Sequence, residues 1–562
     1  MKKHWKISSA AAVAIALSAA IAGCGSGSGG TTNNGSSSSG KTNATPSHGS
    51  GQGQSLVMVP APYGSFQRNF NPFQTTANPG TDGFIYEPLF YYNLVGPEKY
   101  GLLGKSMSWS NGNKTLTVTL RDNVKWSDGQ KFTSKDVVFT FNLLKKNPAL
   151  DTSGVWQELA DVKADGDYKV VFDFKKPDVP FAMYVLETYI VPEHIWKNVQ
   201  DPKKTNNENP VGTGPYVLDS FSSQDYKFKA NPDYYLGKPP VPEIDMPAYS
   251  SNDSANLALA KGEADWSSQF IPNIQNVYVS KSANNHYWFP PNNNVQVIPN
   301  LKNPILSNLT VRKAISLAID RSALIKKAEY GYPQASNPTG VLLPIMRDWL
   351  DPSLPKEDTQ FTYNQQQAIK LLEDAGFKKN SSGVFETPDG KPLSFTLQVV
   401  AGWTDWDMSA QMIAQDLQKI GIKVQVQQQQ YGGYMSMLQD HKFELAIYSS
   451  GTGPNPYYIY KTTYGKNGPQ NYEQFSNSDV EKALQEFSTT TNASTQKQAV
   501  YKIEKIVAEQ LPTIPLFEGP TWYEYNDSKY TGWPDANNPY VTPAAWAWPA
   551  PEIVVMHLKP RS

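Results

Sequence analysis

Between Thr115 and Phe141 three periodicities follow one another along the chain. Leu116, Val118 and Leu120 alternate with threonines, the period of a strand with one wet face. Asp128-Gly129 supplies a turn, since glycine takes positive φ without steric cost. Thr133 stands three residues before Asp136, a pairing that satisfies free amides of a first helical turn, and Val137, Val138, Phe141 and Leu144 follow at helical spacing. The run therefore predicts strand, turn, helix. Elsewhere the pattern predicts a buried strand over 56–59, a short helix over 82–90 stopped by Pro88, a second alternating strand over 168–174 and a helix over 255–261 with Trp266 in the loop beyond it. The glycine-rich run 211–216 has Pro215 where a helix would start, so it reads as a crossover loop and not a phosphate cradle. Farther on, amphipathic helices over 311–328, 363–375 and 408–420 alternate with strands over 393–400, 422–427 and 443–448, and Gly376 and Gly421 stop the second and third helices. Such alternation implies an α/β lobe.

The first residues follow another pattern. Lys2, Lys3 and Lys6 precede an apolar run over 7–22 that is too short for an ordinary membrane span and ends in Ile21-Ala22-Gly23-Cys24. Residues 1–23 read as a signal peptide. Cys24 is the only cysteine, and its setting resembles a bacterial lipobox, so we expect a lipid anchor there and no disulfide within the chain. Residues 25–55 are Gly, Ser, Thr and Asn with almost no large apolar side chain, and such a segment cannot bury enough surface to offset its ordering entropy. With Cys24 they form a tether whose root-mean-square reach is about 30 Å. Inside it, Gly35 to Thr42 spells a P-loop and Gly25, Gly27 and Gly30 a dinucleotide fingerprint, but neither has the strand and helix that aim amides at phosphate.

At 562 residues the chain exceeds what one core fills, so at least two domains are expected. Lys+Arg of 50 against Asp+Glu of 51 leaves no basic field for nucleic acid; removing residues 1–23, with three lysines and no acid, leaves 47 against 51, or −4. Charged residues are 18% of the chain, below the roughly 25% usual in soluble proteins, which suits a medium of unusual pH. Fourteen Trp and 31 Tyr suit a large cavity lined by flat amphipathic rings. His4, His48, His194, His286, His441 and His557 show no metal spacing, and no nucleophile elbow is present. No catalytic residue, metal or cofactor is expected. Glycoside hydrolysis, which needs only two carboxylates, is the distant enzymatic alternative.

The run 115–141 resembles the signature of the oligopeptide-binding family (solute-binding family 5) of ABC-importer substrate-binding proteins. Further matches follow in order: FIYEPLF at 84–90, IVPEHIW at 190–196, NPVGTGPY at 209–216, VRKAISLAIDRSALI at 311–325, LLEDAGF at 371–377, DLQKIGIKV at 416–424 and LPTIPLF at 511–517. The resemblance implies an α/β, two-lobed clamp of periplasmic-binding-protein type with an inserted small domain: lobe I from 56–95, 211–290 and 518–562, the small domain at 96–210 and lobe II at 291–517. It also implies a monomer serving membrane permease and ATPase subunits, closing on its ligand as rigid lobes.

Peptide-binding members usually carry an acidic residue after the strand equivalent to 443–448, where it pairs with the peptide's α-ammonium. Here Ser449-Ser450-Gly451-Thr452-Gly453-Pro454-Asn455-Pro456-Tyr457-Tyr458 has no carboxylate. The stretch is similar instead to oligosaccharide-binding members, as are GEADW at 262–266 and GWPDANNPY at 532–540. Sugar C–H faces sit on aromatic rings while hydroxyls need amide partners. The expected binding residues are Trp266, Trp403, Trp406, Tyr457 and Tyr458 as platforms, with Asn294, Asn455 and Asn537 as hydrogen-bonding groups. The expected ligand is a neutral oligosaccharide, with an oligopeptide as the alternative.

Overall fold

The computed structural model describes residues 54–61 and 64–561; Cys24, the signal segment and the tether before residue 54 lie outside the described residues. Three sheets organise the body. The first has seven strands in the order Asn285–Tyr287, Glu524–Asn526, Trp266–Ser267, Leu56–Val59, Glu243–Pro247, Asp225–Ala230, Tyr216–Phe221. Its central strand Leu56–Val59 runs parallel to both neighbours, and such strands are apolar because both faces are covered. The second has five strands in the order Lys423–Gln429, Ser394–Val400, Leu445–Ser449, Pro291–Pro299, Ile514–Pro520. Helices Leu309–Ala318, Gln365–Asp374 and Thr404–Lys419 belong to this lobe, and Ile315, Leu372, Ile413 and Leu417 share one core with Leu397 and Ile447 of the sheet. Each fully buried Leu or Ile there contributes about 1.5–3 kcal/mol.

The third sheet is antiparallel, with four strands Gly104–Ser110, Thr115–Leu120, Lys169–Phe174 and Leu159–Ala164. Leu116, Val118 and Leu120 are buried while the threonines between them are half-buried. Helix Ser134–Lys146 covers this sheet, with Phe141 edge-on to Phe172 at 5.1 Å. Its capping box is complete: the Thr133 side chain accepts from the Lys135 amide, and Asp136 accepts the Thr133 amide at 2.9 Å. The core of this small sheet is continuous with that of the seven-stranded lobe.

Three expectations change. Residues 82–90 form no helix, with turns over 83–85 and Phe90 opening the strand Phe90–Tyr92, because the carbonyls a helix would use are taken by a neighbouring segment: Gly214 N–H donates to Ile85 and Tyr216 N–H to Phe84, both at 3.0 Å. Gly212 and Gly214 permit that approach, since a Cβ on Gly212 would lie 1.9 Å from the Ile85 carbonyl oxygen. The helix expected over 311–328 is two, Leu309–Ala318 and Arg321–Ala328, the second capped by Asp320, whose carboxylate accepts the Ala323 amide at 2.9 Å. The helix expected to begin at Met408 begins at Thr404, so Trp406 stands in a first helical turn and not in a loop.

Candidate functional site

The chain passes between the two large sheets along Pro291–Pro299 and Ile514–Pro520, which pair antiparallel with irregularities at Pro291/Asn293 and Val295/Gln296. These paired strands form the floor of a cavity of about 440 Å³, within the range of small-ligand sites. Asn293, Val295, Phe517, Gly519 and Pro520 line the floor. Gly519 lies against the Asn293 side chain, since a Cβ there would lie 2.2 Å from Asn293 Oδ1.

One wall comes from the segment after Trp266–Ser267, namely Ser268, Gln269 and Phe270, together with Trp522 just beyond the floor strand. Phe270 meets Trp522 edge-on at 5.2 Å, and Trp522 is braced by Phe289 at 4.8 Å. The opposite wall is the start of helix Thr404–Lys419 with Glu329, the C-cap of Arg321–Ala328. Trp403 is 40% exposed, stacked on Tyr431 at 5.7 Å and edge-on to Trp406 at 4.8 Å. Trp406 is nearly buried yet reaches the cavity. Two aromatic pairs thus line one cavity above this floor.

The polar lining is amide, hydroxyl and carboxyl side chains: Asn252, Ser268, Gln269, Asn293, Glu329, Thr404, Asp405 and Ser449. Gln269 Oε1 and Asn293 Oδ1 are buried without hydrogen-bond partners, whereas Gln269 Nε2 is spent on Ser267 Oγ at 3.0 Å. Glu329 is 1% exposed; burial, then the adjacent Asp405 charge, push its carboxyl up to about 8, with only a long 3.4 Å bond from Ser409 Oγ to offset them. Burial also raises Asp405, against backbone hydrogen bonds from Trp406 and from Asp405 itself. Neither Lys, Arg nor His lines the cavity among the described residues.

Of the residues singled out from sequence, Trp403 and Trp406 reach this cavity and the others do not. Trp266 is fully buried, its indole N–H donating to the Pro543 carbonyl at 3.1 Å and its ring edge-on to Trp533; it is core, because it sits on a strand that the sheet covers. Tyr457 and Tyr458 are buried in a separate helical cluster. Tyr457 stacks on Phe487 at 4.3 Å within that cluster, and the Tyr458 hydroxyl donates to the Pro180 carbonyl at 2.9 Å, which ties the cluster to the segment after the small sheet. Gly453 lies against Tyr458, where a Cβ would come within 2.3 Å, so the acid-free loop is shaped for packing. Asn294 faces away from the cavity because side chains alternate along a strand; its amide donates to the Gly340 carbonyl and accepts from Ser336. Asn455 caps helix Pro456–Thr463 by accepting from the Tyr457 amide. Asn537 is exposed in a turn held by Asp535.

Sequence reasoning missed Phe270, Trp522, Gln269, Asn293, Glu329 and Asp405. The signals were adjacency to motifs already noticed: Gln269 and Phe270 follow GEADW, Trp522 follows LPTIPLF, and Glu329 ends the amphipathic run from Val311. Among the described residues no group of three or more metal-ligating side chains occurs, and no helix is long and apolar enough to cross a membrane.

Residues 99–471 match the family model for bacterial extracellular solute-binding proteins, family 5 Middle. The chain is 26% identical over 476 residues to the oligopeptide-binding protein AppA of Bacillus subtilis, covering 80% of this chain and 83% of that protein. The crystal structure of an oligopeptide ABC transporter periplasmic oligopeptide-binding protein from Thermotoga maritima is 30% identical, with a TM-score of 0.82 over 90% of this chain and 99% of that one. The same Thermotoga protein bound to mannohexaose superposes with a TM-score of 0.74, over 90% of this chain and 98% of that one. With its two lobes, paired crossover strands and interlobe cavity, the chain belongs to the family 5 bacterial extracellular solute-binding proteins.

Proposed function

We propose that this protein is the substrate-binding component of an ABC importer, anchored through Cys24 to the outer face of the cytoplasmic membrane, and that it captures a neutral oligosaccharide by lobe closure. In this reading it works as a monomer that delivers its ligand to separate permease and ATPase subunits. We take 56–95, 211–290 and 518–562 as lobe I, 96–210 as the inserted domain and 291–517 as lobe II. The observation that carries the ligand class is the two aromatic pairs, Phe270–Trp522 and Trp403–Trp406, which line one cavity together with Gln269, Asn293, Thr404 and Ser449. Rings supply stacking area at little entropic cost, and amide and hydroxyl side chains pair with ligand hydroxyls. The mannohexaose-bound neighbour supports the same class.

An oligopeptide is the second reading, favoured by the name of the AppA relative and by Glu329 and Asp405 in the cavity. Calorimetry decides between them. Titrating the protein with cello-, xylo- and manno-oligosaccharides and with a mixed peptide library should give binding that strengthens with sugar length and scarcely depends on salt. Tight binding of free peptides, lost on N-acetylation, would replace the oligosaccharide reading with the peptide one.

A further inference from the structure

We propose that Glu329, with Asp405 beside it, is the specificity-determining group of the cleft, and that it excludes oligomers carrying a carboxylate on the unit seated against Trp403 and Trp406. This rests on the reading of the interlobe cavity as the ligand site. Glu329 is 1% exposed and lines the cavity, yet it has no cationic partner and only the long Ser409 bond. Gln269, 4% exposed, lines the same cavity, and its buried Oε1 has no hydrogen-bond partner among the described residues. Asn293 on the floor likewise has a buried Oδ1 without a partner among the described residues. The groups facing Glu329 are Asp405 and Ser409 from helix Thr404–Lys419 and, across the cavity, Phe270 and Trp522, which do not titrate.

A ligand hydroxyl meets these acceptors as a donor. A ligand carboxylate brings negative charge to an acid pair that no Lys, Arg or His of the lining offsets, in a cavity from which water is displaced as the lobes close. Asp405, and Glu329 once it has lost its proton, then repel the carboxylate with little water to screen them. Burial of Glu329 adds a second effect: an anion placed beside it holds it protonated, so anion binding takes up a proton and weakens further as pH rises.

The test uses a matched pair of probes on the purified full chain: mannohexaose and the hexamannuronate of the same linkage, whose units carry a carboxylate in place of the hydroxymethyl group. At pH 9, above the value of about 8 to which burial raises Glu329, calorimetry should show hexamannuronate binding about a hundredfold more weakly than mannohexaose, with a smaller ratio at pH 6. Glu329→Gln, which keeps the shape of the side chain and removes its charge, should narrow that ratio about tenfold. Asp405→Asn, in the first turn of helix Thr404–Lys419, should narrow it in the same direction. Equal affinity for the two oligomers, or a ratio unmoved by both substitutions, would overturn the proposal. If neither sugar binds, the oligosaccharide reading fails, and the charge rule is decided on hexapeptide amides with alanine or glutamate at each position. Preference for alanine that Glu329→Gln removes supports the rule; indifference to glutamate, or no binding by any probe, overturns it.

Discussion

Raising the pH should weaken this protein through carboxyl groups buried without a counter-charge, and Glu524 shows by how much. It sits at 0% exposure on the strand Glu524–Asn526, between Trp266–Ser267 and Asn285–Tyr287. Oε2 accepts the Gln269 amide at 3.2 Å, while Oε1 is buried without a partner. Burial pushes the carboxyl from its ordinary 4.5 to about 8, and two backbone amides offset only part of that. Between these values the folded chain holds a proton that the unfolded chain has released, so stability falls as pH rises through 4.5 to 8 and is level on either side. At about 1.4 kcal/mol per pH unit the ceiling is about 5 kcal/mol, and relaxation around the charge brings the expected value to about 2–5 kcal/mol. Glu524→Gln keeps the shape and removes the titration. Urea unfolding of both proteins at pH 5, 7 and 8.5 should show near-equal midpoints at pH 5 and a variant more stable by about 2–5 kcal/mol at pH 8.5. A difference that does not change with pH would refute the reasoning. Glu504 and Glu518 are likewise buried and raised to about 8, and Glu87 and Glu552 share the Tyr234 hydroxyl at 2.8 Å with both carboxyls raised by burial. The wild-type thermal midpoint should therefore be higher at pH 5 than at pH 8.5, in keeping with the low charged fraction of the sequence.

Three other outcomes are expected. Trp403→Ala should weaken oligosaccharide binding by about 1–2 kcal/mol, read by calorimetry, while the unliganded thermal midpoint stays close to wild type because the ring is 40% exposed. Gly212→Ala should destabilise the body by about 2 kcal/mol or more, read as a lowered thermal midpoint, because the added methyl meets the Ile85 backbone and not a movable side chain. Cys24→Ser should release the protein from washed membranes into the soluble fraction, read by immunoblot of the fractions.

The strands and helices with strong periodicity were legible because their cause is local: Leu116, Val118 and Leu120 alternate, and Thr133 with Asp136 cap the next helix. The segment 82–90 was not, because its hydrogen bonds go to residues far along the chain at Gly214 and Tyr216. The site was legible only in part. Trp403 and Trp406 were found because two tryptophans three apart in a polar stretch stand out. Trp266, Tyr457 and Tyr458 have the same aromatic character but lie under a sheet and a helix cluster, and residue type does not report burial. Asn294 was chosen in place of Asn293 because one position along a strand decides which face a side chain takes, and that register comes from pairing with Ile514–Pro520.

Offering the purified protein an equimolar mixture of manno-oligosaccharides and short peptides, then weighing the complexes by native mass spectrometry, tests the central claim most directly. The account predicts complexes whose masses step by one hexose unit, fading when Trp403 is replaced by alanine. Complexes with the peptide masses alone would contradict it.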